Sequence, residues 1–413
     1  MQVEVGYVPE SADVEDDTAP LDVRADISFE LEEVNEVLAE LVALLAERRP
    51  KTRDLLTVRL GVSGERPETL ARLGARYDIS RDRVRQLHTK AVGQLIRLAQ
   101  QNELTWQGGR GAEEIFAARY PLDARDRQLV RALLVETYAT DSDIVATELS
   151  HLKLRLAGHD AEDAKRVAGF VAQRIAAWQK KTNRRLAKLL DAEPRASSQL
   201  DPWLSQVEWS PTAHPAPLPT SSARTVDSDD DARGRFYLDK VGRDVPFDSG
   251  MEARLLWILN ASSLVDTFQE HPCALEYTLD DGAHLGYPSI VARLADGRVV
   301  LIDVQPLGHV AFHVNRVRAD AARAFAHDRG WGWLIWTGSA LGVTDLGNRA
   351  VDPNLERALS ELVARGPVSW QTLRGLRADT ELTLLDFLAL VLRHEWRWDR
   401  GPFRLSAPPS PQR

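Results

Sequence analysis

Residues 286–306, GYPSIVARLADGRVVLIDVQP, constrain the fold more than any other stretch, because two apolar runs flank the turn ADGR and the length of that turn decides which side chains share a face. A two-residue Asp296-Gly297 loop would pair Ser289 with Val304. A three-residue Ala295-Asp296-Gly297 loop, with Gly297 left-handed, pairs Ser289 with Asp303. The apolar pattern favours the second register. It sets Ile290 and Ala292 beside Ile302 and Val300, whereas the first presses Arg293 against Val300. Ser289, Asp303 and Gln305 are therefore expected on one face of the hairpin.

Around the hairpin the chain reads as strands at about 273–278, 287–294 and 299–305, a helix over about 317–328, and a further strand at WGWLIWT. A helix, DSGMEARLLWILN, precedes them, and Leu255, Leu256 and Leu259 follow Glu252 at helical spacing, so Glu252 is expected to point at the sheet. Ser249 and Glu252 also form a Ser-x-x-Glu capping box, which is a purely local role. This order of elements resembles the restriction-endonuclease-like fold, and in particular the TnsA-type endonuclease subunit of heteromeric transposases. The resemblance implies four site positions, Glu252, Ser289, Asp303 and Gln305, with Ser289 standing where the family has aspartate and Gln305 where it has lysine. Glu252 and Asp303 would be the metal ligands. Such a site would use Mg²⁺, which wants several carboxylates, so two leave it weakly held. Asp280 and Asp281 are further, misplaced carboxylates. The leading expectation is a degenerate nuclease domain kept as a binding scaffold, and the alternative is a metal-dependent DNA endonuclease with an unusual Glu-Ser-Asp-Gln site.

Charge is distributed unevenly along the chain. The whole sequence carries a net charge of -9 over 413 residues, yet residues 1–50 hold 14 Asp/Glu against 3 Arg, while residues 51–100 hold 11 Lys/Arg against 5 Asp/Glu. The basic block contains PETLARLGARYDISRDRVRQLHTKAVGQLIRL, a helix, a break and a second helix. Leu70, Leu73 and Ile79 supply apolar contacts, Gly74 lets two helices approach, and Ser80 is placed to cap the second helix. That helix turns Val84, Leu87 and Ala91 inward. Outward it presents Arg81, Arg85, Gln86 and Lys90, residue types that read guanine and adenine in a major groove. These residues resemble region 4 of the sigma-70 family, the module that reads the promoter −35 element, with DLLTVRLG at 54–61 matching the preceding helix. The resemblance implies that Arg81, Arg85 and Gln86 read bases and Lys90 holds a phosphate. Asp82 stands one methylene short of the family's glutamate.

The remaining organisation is coarser. Residues 1–25 read as an acidic disordered tail. Leu31, Val34, Leu38, Leu41 and Leu45 mark one face of an amphipathic helix within a sigma region 4-like helix-turn-helix domain at 26–101. A helical connector at 102–191 follows, with a basic second half at Lys180, Lys181, Arg184, Arg185 and Lys188. The Pro/Ser/Asp-rich stretch 192–240 reads as a flexible linker. A nuclease-fold domain at 241–350, a winged helix at 351–406 and a disordered tail at 407–413 complete a multidomain chain: N-terminal all-α, C-terminal α/β. The helix at 382–392 is nearly all apolar and suits packing or protein contact. His309 and His313 have zinc-like spacing but lack a third ligand, and Trp331, Trp333 and Trp336 read as sheet packing. Cys273 is the single cysteine, no run approaches the roughly 18 apolar residues of a membrane helix, and no leader opens the chain, so a cytoplasmic protein is expected. Expected partners are double-stranded DNA, and a transposition or ATPase partner or RNA polymerase, without a membrane. The leading function is sequence-directed DNA binding, as a regulator or as a targeting subunit of a mobile-element or defence system, with the endonuclease second and an RNA polymerase adaptor third.

Overall fold

The computed structural model describes residues 28–48, 50–100, 111–186, 192–211, 214–224, 234–280, 282–339 and 341–408, with side chains outside 46–54 and 178–186. The expected tail at 1–25, residues 409–413 of the expected tail at 407–413, the side chains of Lys180, Lys181, Arg184 and Arg185, and Lys188 lie outside that description. No described helix is long and apolar enough to cross a membrane.

The N-terminal half is helical. Helices α1 (Phe29–Arg48) and α2 (Pro50–Leu60) lead into α3 (Leu70–Tyr77) and α4 (Arg81–Gln100), and the expected stripe Leu31, Val34, Leu38, Leu41 and Leu45 of α1 is buried. From Val34 onward it packs in one hydrophobic core with α4, α5 (Ala112–Arg119), α6 (Asp126–Ala139), α7 (Ala146–Leu156) and α8 (Ala161–Leu186). The helix-turn-helix and the connector, read from sequence as separate, thus share a core. A buried charge cluster ties the connector: Glu136 accepts from Arg119 at 2.8 Å, Lys153 at 2.9 Å and the Tyr120 hydroxyl at 2.5 Å. The three donors satisfy a carboxylate that burial alone would penalise.

The described part of the stretch expected as a flexible linker is ordered against the C-terminal half. Residues Ala192–Leu204 form α9, whose Leu200 and Trp203 are buried, and Trp203 packs at 6.3 Å from the ring of Trp336. Beyond it the chain straps the C-terminal half: Glu208 exchanges backbone hydrogen bonds with Trp333, both at 2.9 Å, and the Ala223 N–H donates to the His271 carbonyl at 2.8 Å. Aperiodic, proline-rich chain is held here because a sheet edge satisfies its backbone groups.

The C-terminal half begins with the hairpin β1 (Gly234–Leu238) and β2 (Arg243–Phe247), then α10 (Gly250–Ala261) and strand β3 (Val265–Glu270). A separate hairpin, β4 (Leu275–Leu279) and β5 (Gly282–Gly286), is followed by β6 (Ile290–Leu294), β7 (Val299–Val304), α11 (His313–Asp328) and β8 (Gly332–Trp336). The main sheet has the order β3-β6-β7-β8, antiparallel except for the parallel β7–β8 pair. The strand expected at 273–278 is therefore not in this sheet; β3, whose polar sequence VDTFQE hid it, takes that place. The hairpin register is the expected one, with Ile290 opposite Ile302 and Ala292 opposite Val300, and Gly297 adopts φ 89° in the three-residue loop. Helix α10 packs on the face carrying Ile290, Ala292, Val300 and Ile302, and α11 on the face carrying Val291, Val299 and Leu301.

Helices α12 (Val343–Gly347), α13 (Pro353–Arg365), α14 (Trp370–Asp379) and α15 (Leu384–Arg393) and the hairpin β9 (Arg397–Asp399) and β10 (Arg404–Ser406) close the chain. The apolar α15 buries Leu384 and Phe387 to Val391, so it is a packing helix, and this unit continues the core of the α11 face through Trp398 and Phe312, whose rings lie 4.0 Å apart.

Candidate functional site

Two constellations carry chemistry, one on α4 and one at the N-terminus of α10. The first is built by the turn between α3 and α4. The Thr69 hydroxyl caps α3 by accepting from the Arg72 N–H at 3.1 Å, and Asp78 ends the helix in a left-handed conformation, φ 52°. A Cβ on Gly74 would meet the Ile79 carbonyl oxygen at 2.7 Å, so the tight return of the chain requires glycine. The Ser80 hydroxyl accepts from the Arg83 N–H at 3.3 Å, the cap expected from sequence.

Helix α4 then buries Val84, His88 and Ala91 and exposes Arg81, Asp82, Arg83, Arg85, Gln86 and Lys90. Leu87 is only half-buried, and His88 takes part of the inward role assigned to it. The exposed side chains pair only loosely: Arg85 lies 3.2 Å from Asp82, and Arg83 donates to Gln86 at 3.3 Å. Such solvent-exposed contacts are worth little and exchange readily for another partner. Behind the helix, Arg59 of α2 grips Glu148 of α7 with two hydrogen bonds of 3.0 and 2.8 Å and so fixes the module to the connector.

The second constellation joins Asp248, Glu252 and His271, all buried, with one ligand atom from each lying within 4.8 Å of the others. Ser249 caps α10, its hydroxyl accepting from the Glu252 N–H at 3.2 Å. Glu252 in turn uses Oε2 to accept from the Asp248 N–H at 2.9 Å, which leaves Oε1 facing inward. His271 follows β3 in a left-handed conformation, φ 40°, and its N–H donates to the Ser289 carbonyl at 2.8 Å. Its Nε2 lies 3.7 Å from Asp248 Oδ2 and 3.9 Å from Glu252 Oε1, and neither ring nitrogen has a hydrogen-bond partner. Burial lowers the His271 pKa, against the pull of Glu252. Two carboxylates and an imidazole at this spacing make a candidate metal-binding triad, consistent with a weak Mg²⁺ site.

Two guanidinium groups also reach the triad. Arg66, from the loop between α2 and α3, lies 2.6 Å from Glu252 Oε1 and 2.8 Å from Asp141, and donates to the Ser249 hydroxyl at 2.5 Å. Arg224, from the strap, pairs with Asp248 Oδ2 and lies over the ring of Tyr287. Burial opposes ionisation of Glu252, but the charges of Arg66 and His271 outweigh it and bring its pKa down to about 2.

The positions drawn from sequence divide between two clusters. Ser289, Asp303 and Gln305 lie together, buried on the α11 side of the sheet: the Ser289 hydroxyl accepts from the Val304 N–H at 3.2 Å, and the Gln305 amide donates to Asp303 at 2.6 Å. Arg318 of α11 lies 3.3 Å from Asp303. Glu252 sits instead with Asp248 and His271 beneath α10, and Asp303 is not among the triad. Helices α10 and α11 cover opposite faces of the sheet, with Glu252 carried by the first and Asp303 paired with Arg318 of the second. Asp280 pairs with Arg397 at 2.7 Å on the surface, and Asp281 lies outside the described residues. His309 is buried against Phe312 in a short turn ahead of α11, its pKa brought down to about 3 by burial and by Arg400 and Arg318, and it belongs to no described ligand cluster. The Cys273 thiol is pushed up to about 11 by burial. Asp248 was within reach of sequence reasoning, since it stands four residues before Glu252. His271 becomes visible only once β3 is paired with β6, and Arg66 lies 186 residues from its partner.

Comparison with known proteins bears on the first constellation. Residues 45–96 match the family described as sigma-70, region 4. A stretch of 63 residues is 36% identical to the RNA polymerase sigma-C factor of Nostoc sp. strain PCC 7120, covering 15% of this chain and 15% of that protein. No solved structure matches the chain. The likeness thus falls on the helix-turn-helix, and the α/β half stands on its own geometry.

Proposed function

We propose that the chain is a sequence-directed DNA-binding protein in which α4 enters the major groove and the α/β half is a nuclease-type fold retained as a scaffold, acting as a regulator or as the targeting subunit of a mobile-element or defence system. The observation that carries this reading is the exposed row Arg81, Arg85, Gln86 and Lys90 on a capped helix whose other face is buried. Arginine and glutamine on the first turns of such a helix can grip base edges, and Lys90 one turn on can meet a phosphate. Partners of the TnsA-type transposition class, including an ATPase, fit this reading, and an RNA polymerase adaptor would use the same module. A winged-helix role for the closing three helices and hairpin would be protein contact, since α15 is buried.

A second reading, a metal-dependent DNA endonuclease, is favoured by the Asp248, Glu252 and His271 triad at the end of the sheet that also bears Ser289 and Asp303. If a cation bound there, those three residues would hold it, and it would supply an activated water. Arg66 and Arg224 cover both carboxylates, which disfavours that chemistry in the present arrangement.

The test selects from a random duplex library with the full chain. A motif should be enriched, with affinity falling steeply as salt rises. Arg85→Ala should lose about 1–3 kcal/mol and relax one base position, whereas Lys90→Ala should weaken all sequences alike. An unenriched library with salt-independent binding would overturn the proposal. Robust nicking of supercoiled plasmid by the wild-type chain in Mg²⁺ or Mn²⁺, lost in Glu252→Gln, would establish the second reading instead.

A further inference from the structure

We propose that Arg66 and a divalent cation are alternative occupants of the Asp248–Glu252–His271 cluster, and that the cation is one that accepts imidazole, such as Mn²⁺ or Zn²⁺. The inference rests on the metal-triad reading and is independent of DNA recognition. Three observations carry it. His271 is 1% exposed, with both ring nitrogens lacking a hydrogen-bond partner and Nε2 aimed between two carboxylate oxygens. A buried imidazole in that state is costly unless something binds it. The gaps of 3.7 and 3.9 Å suit a bridging ion, because two donors at about 2.1 Å from one cation can stand up to about 4.2 Å apart. Imidazole in the donor set moves the preference from Mg²⁺ toward softer ions.

The second observation is identity of the contested atom. Glu252 Oε1, which faces His271 Nε2, is the oxygen that Arg66 Nη1 holds at 2.6 Å. A guanidinium and a divalent ion cannot both occupy that position, since they would meet at contact distance with like charge. Arg224 holds Asp248 Oδ2 in a similar way, but its side chain is 9% exposed against 22% for Arg66 and lies over the Tyr287 ring. Arg66 is therefore the group that yields.

The third observation is a place for Arg66 to go. It lines a cavity of about 850 Å³ between the helix-turn-helix and the β4–β5 hairpin, and Glu65 and Glu68 line the same cavity. The side chain can swing there while its loop stays fixed by the hydrogen bond of 3.0 Å from the Asn315 amide to the Gly64 carbonyl. Arg66 thus belongs to one module and closes a site in the other.

The test titrates the full chain with Mn²⁺, read by electron paramagnetic resonance of the free ion, and with Zn²⁺ against a chromophoric chelator. Wild-type binding should be weak, and Arg66→Gln should bind at least about tenfold more tightly, because Gln keeps a hydrogen-bonding head without the competing charge. Adding His271→Ala to Arg66→Gln should abolish the gain, whereas adding Asp303→Ala should leave it. Affinity unchanged in Arg66→Gln, or a gain that survives His271→Ala, would overturn the proposal. Should Arg66→Gln fail to fold, Asp141→Asn carries the test by removing one of the two carboxylates that anchor Arg66; it should raise affinity by a smaller factor, and no rise would count equally against the idea. DNA binding measured on the same variants separates the two claims, since α4 is untouched in all of them.

Discussion

Glu36 shows how a single side chain sets the chain's response to pH. It lies on the buried side of α1, where its only described hydrogen bond is from the Gly401 N–H at 3.4 Å, and Oε2 has no partner. Burial pushes its pKa up to about 8, against the pull of Arg400 and with help from Glu32 and Glu40; Glu40 is likewise raised, to about 7, by burial. A carboxyl with a folded pKa above its unfolded value of 4.5 binds a proton on folding, so its contribution is complete at low pH and is lost as pH rises through the folded pKa. Stability should therefore decline from about pH 5 to about pH 8, by at most about 1.4 kcal/mol per pH unit for each such group. Glu36→Gln, which cannot ionise, should flatten that decline and raise the denaturation midpoint at the upper end of the range. Denaturant melts across the range check it, and parallel profiles for the two proteins would contradict it.

At the scale of elements, the strap at 192–224 offers a direct test of fold against composition. Trp203 is buried against α10 and Trp336, so Trp203→Ala should cost about 3–5 kcal/mol, the usual penalty for emptying a large aromatic site. A solvated linker would lose nothing, and an unchanged melting temperature would refute the packed strap. This segment was illegible in sequence because nothing in it is periodic: its order comes from backbone bonds to β8 and His271, partners more than a hundred and about fifty residues away. The β6–β7 hairpin was legible for the opposite reason, since a period of two and one turn glycine determine its register locally. So was α4, through Ser80, Gly74 and the spacing of Val84 and Ala91. One residue of the candidate metal triad, Glu252, could be read, because it lies in a helix with a recognisable cap. The rest could not: β3 is polar and short, so His271 had no strand to follow. Arg66 depends on how two modules dock, which local pattern does not encode.

Across the whole molecule the two halves are joined by charges carried far along the chain. Arg400, at the tip of the β9–β10 hairpin, reaches back to α1 and donates to both carboxylate oxygens of Glu32, with distances of 2.5 to 3.0 Å, while its guanidinium lies 4.3 Å over the ring of Phe312. Both side chains are under a tenth exposed. Arg374 adds a bridge to Glu33 at 3.0 Å, and Arg377 pairs with Glu30, so the first turns of α1 are bound to the closing unit. The isolated helix-turn-helix would lack these partners as well as the α5–α8 half of its core, which is why DNA binding is best measured on the full chain. Removing one member of a buried pair leaves the other charge without compensation, so Arg400→Ala should destabilise by about 3–5 kcal/mol, far more than loss of a surface bridge. Replacing both members by apolar residues of similar size removes that penalty. Arg400→Met with Glu32→Leu should thus recover most of the loss, and a double variant no more stable than Arg400→Ala would show that the pair does not act as a unit. Calorimetry reads the second consequence: Arg400→Ala should lower the melting temperature of the chain without splitting the transition, because Arg374, Arg377 and Arg66 still tie the helical half to the rest, and a melt that separates into two transitions would show that Arg400 alone couples them.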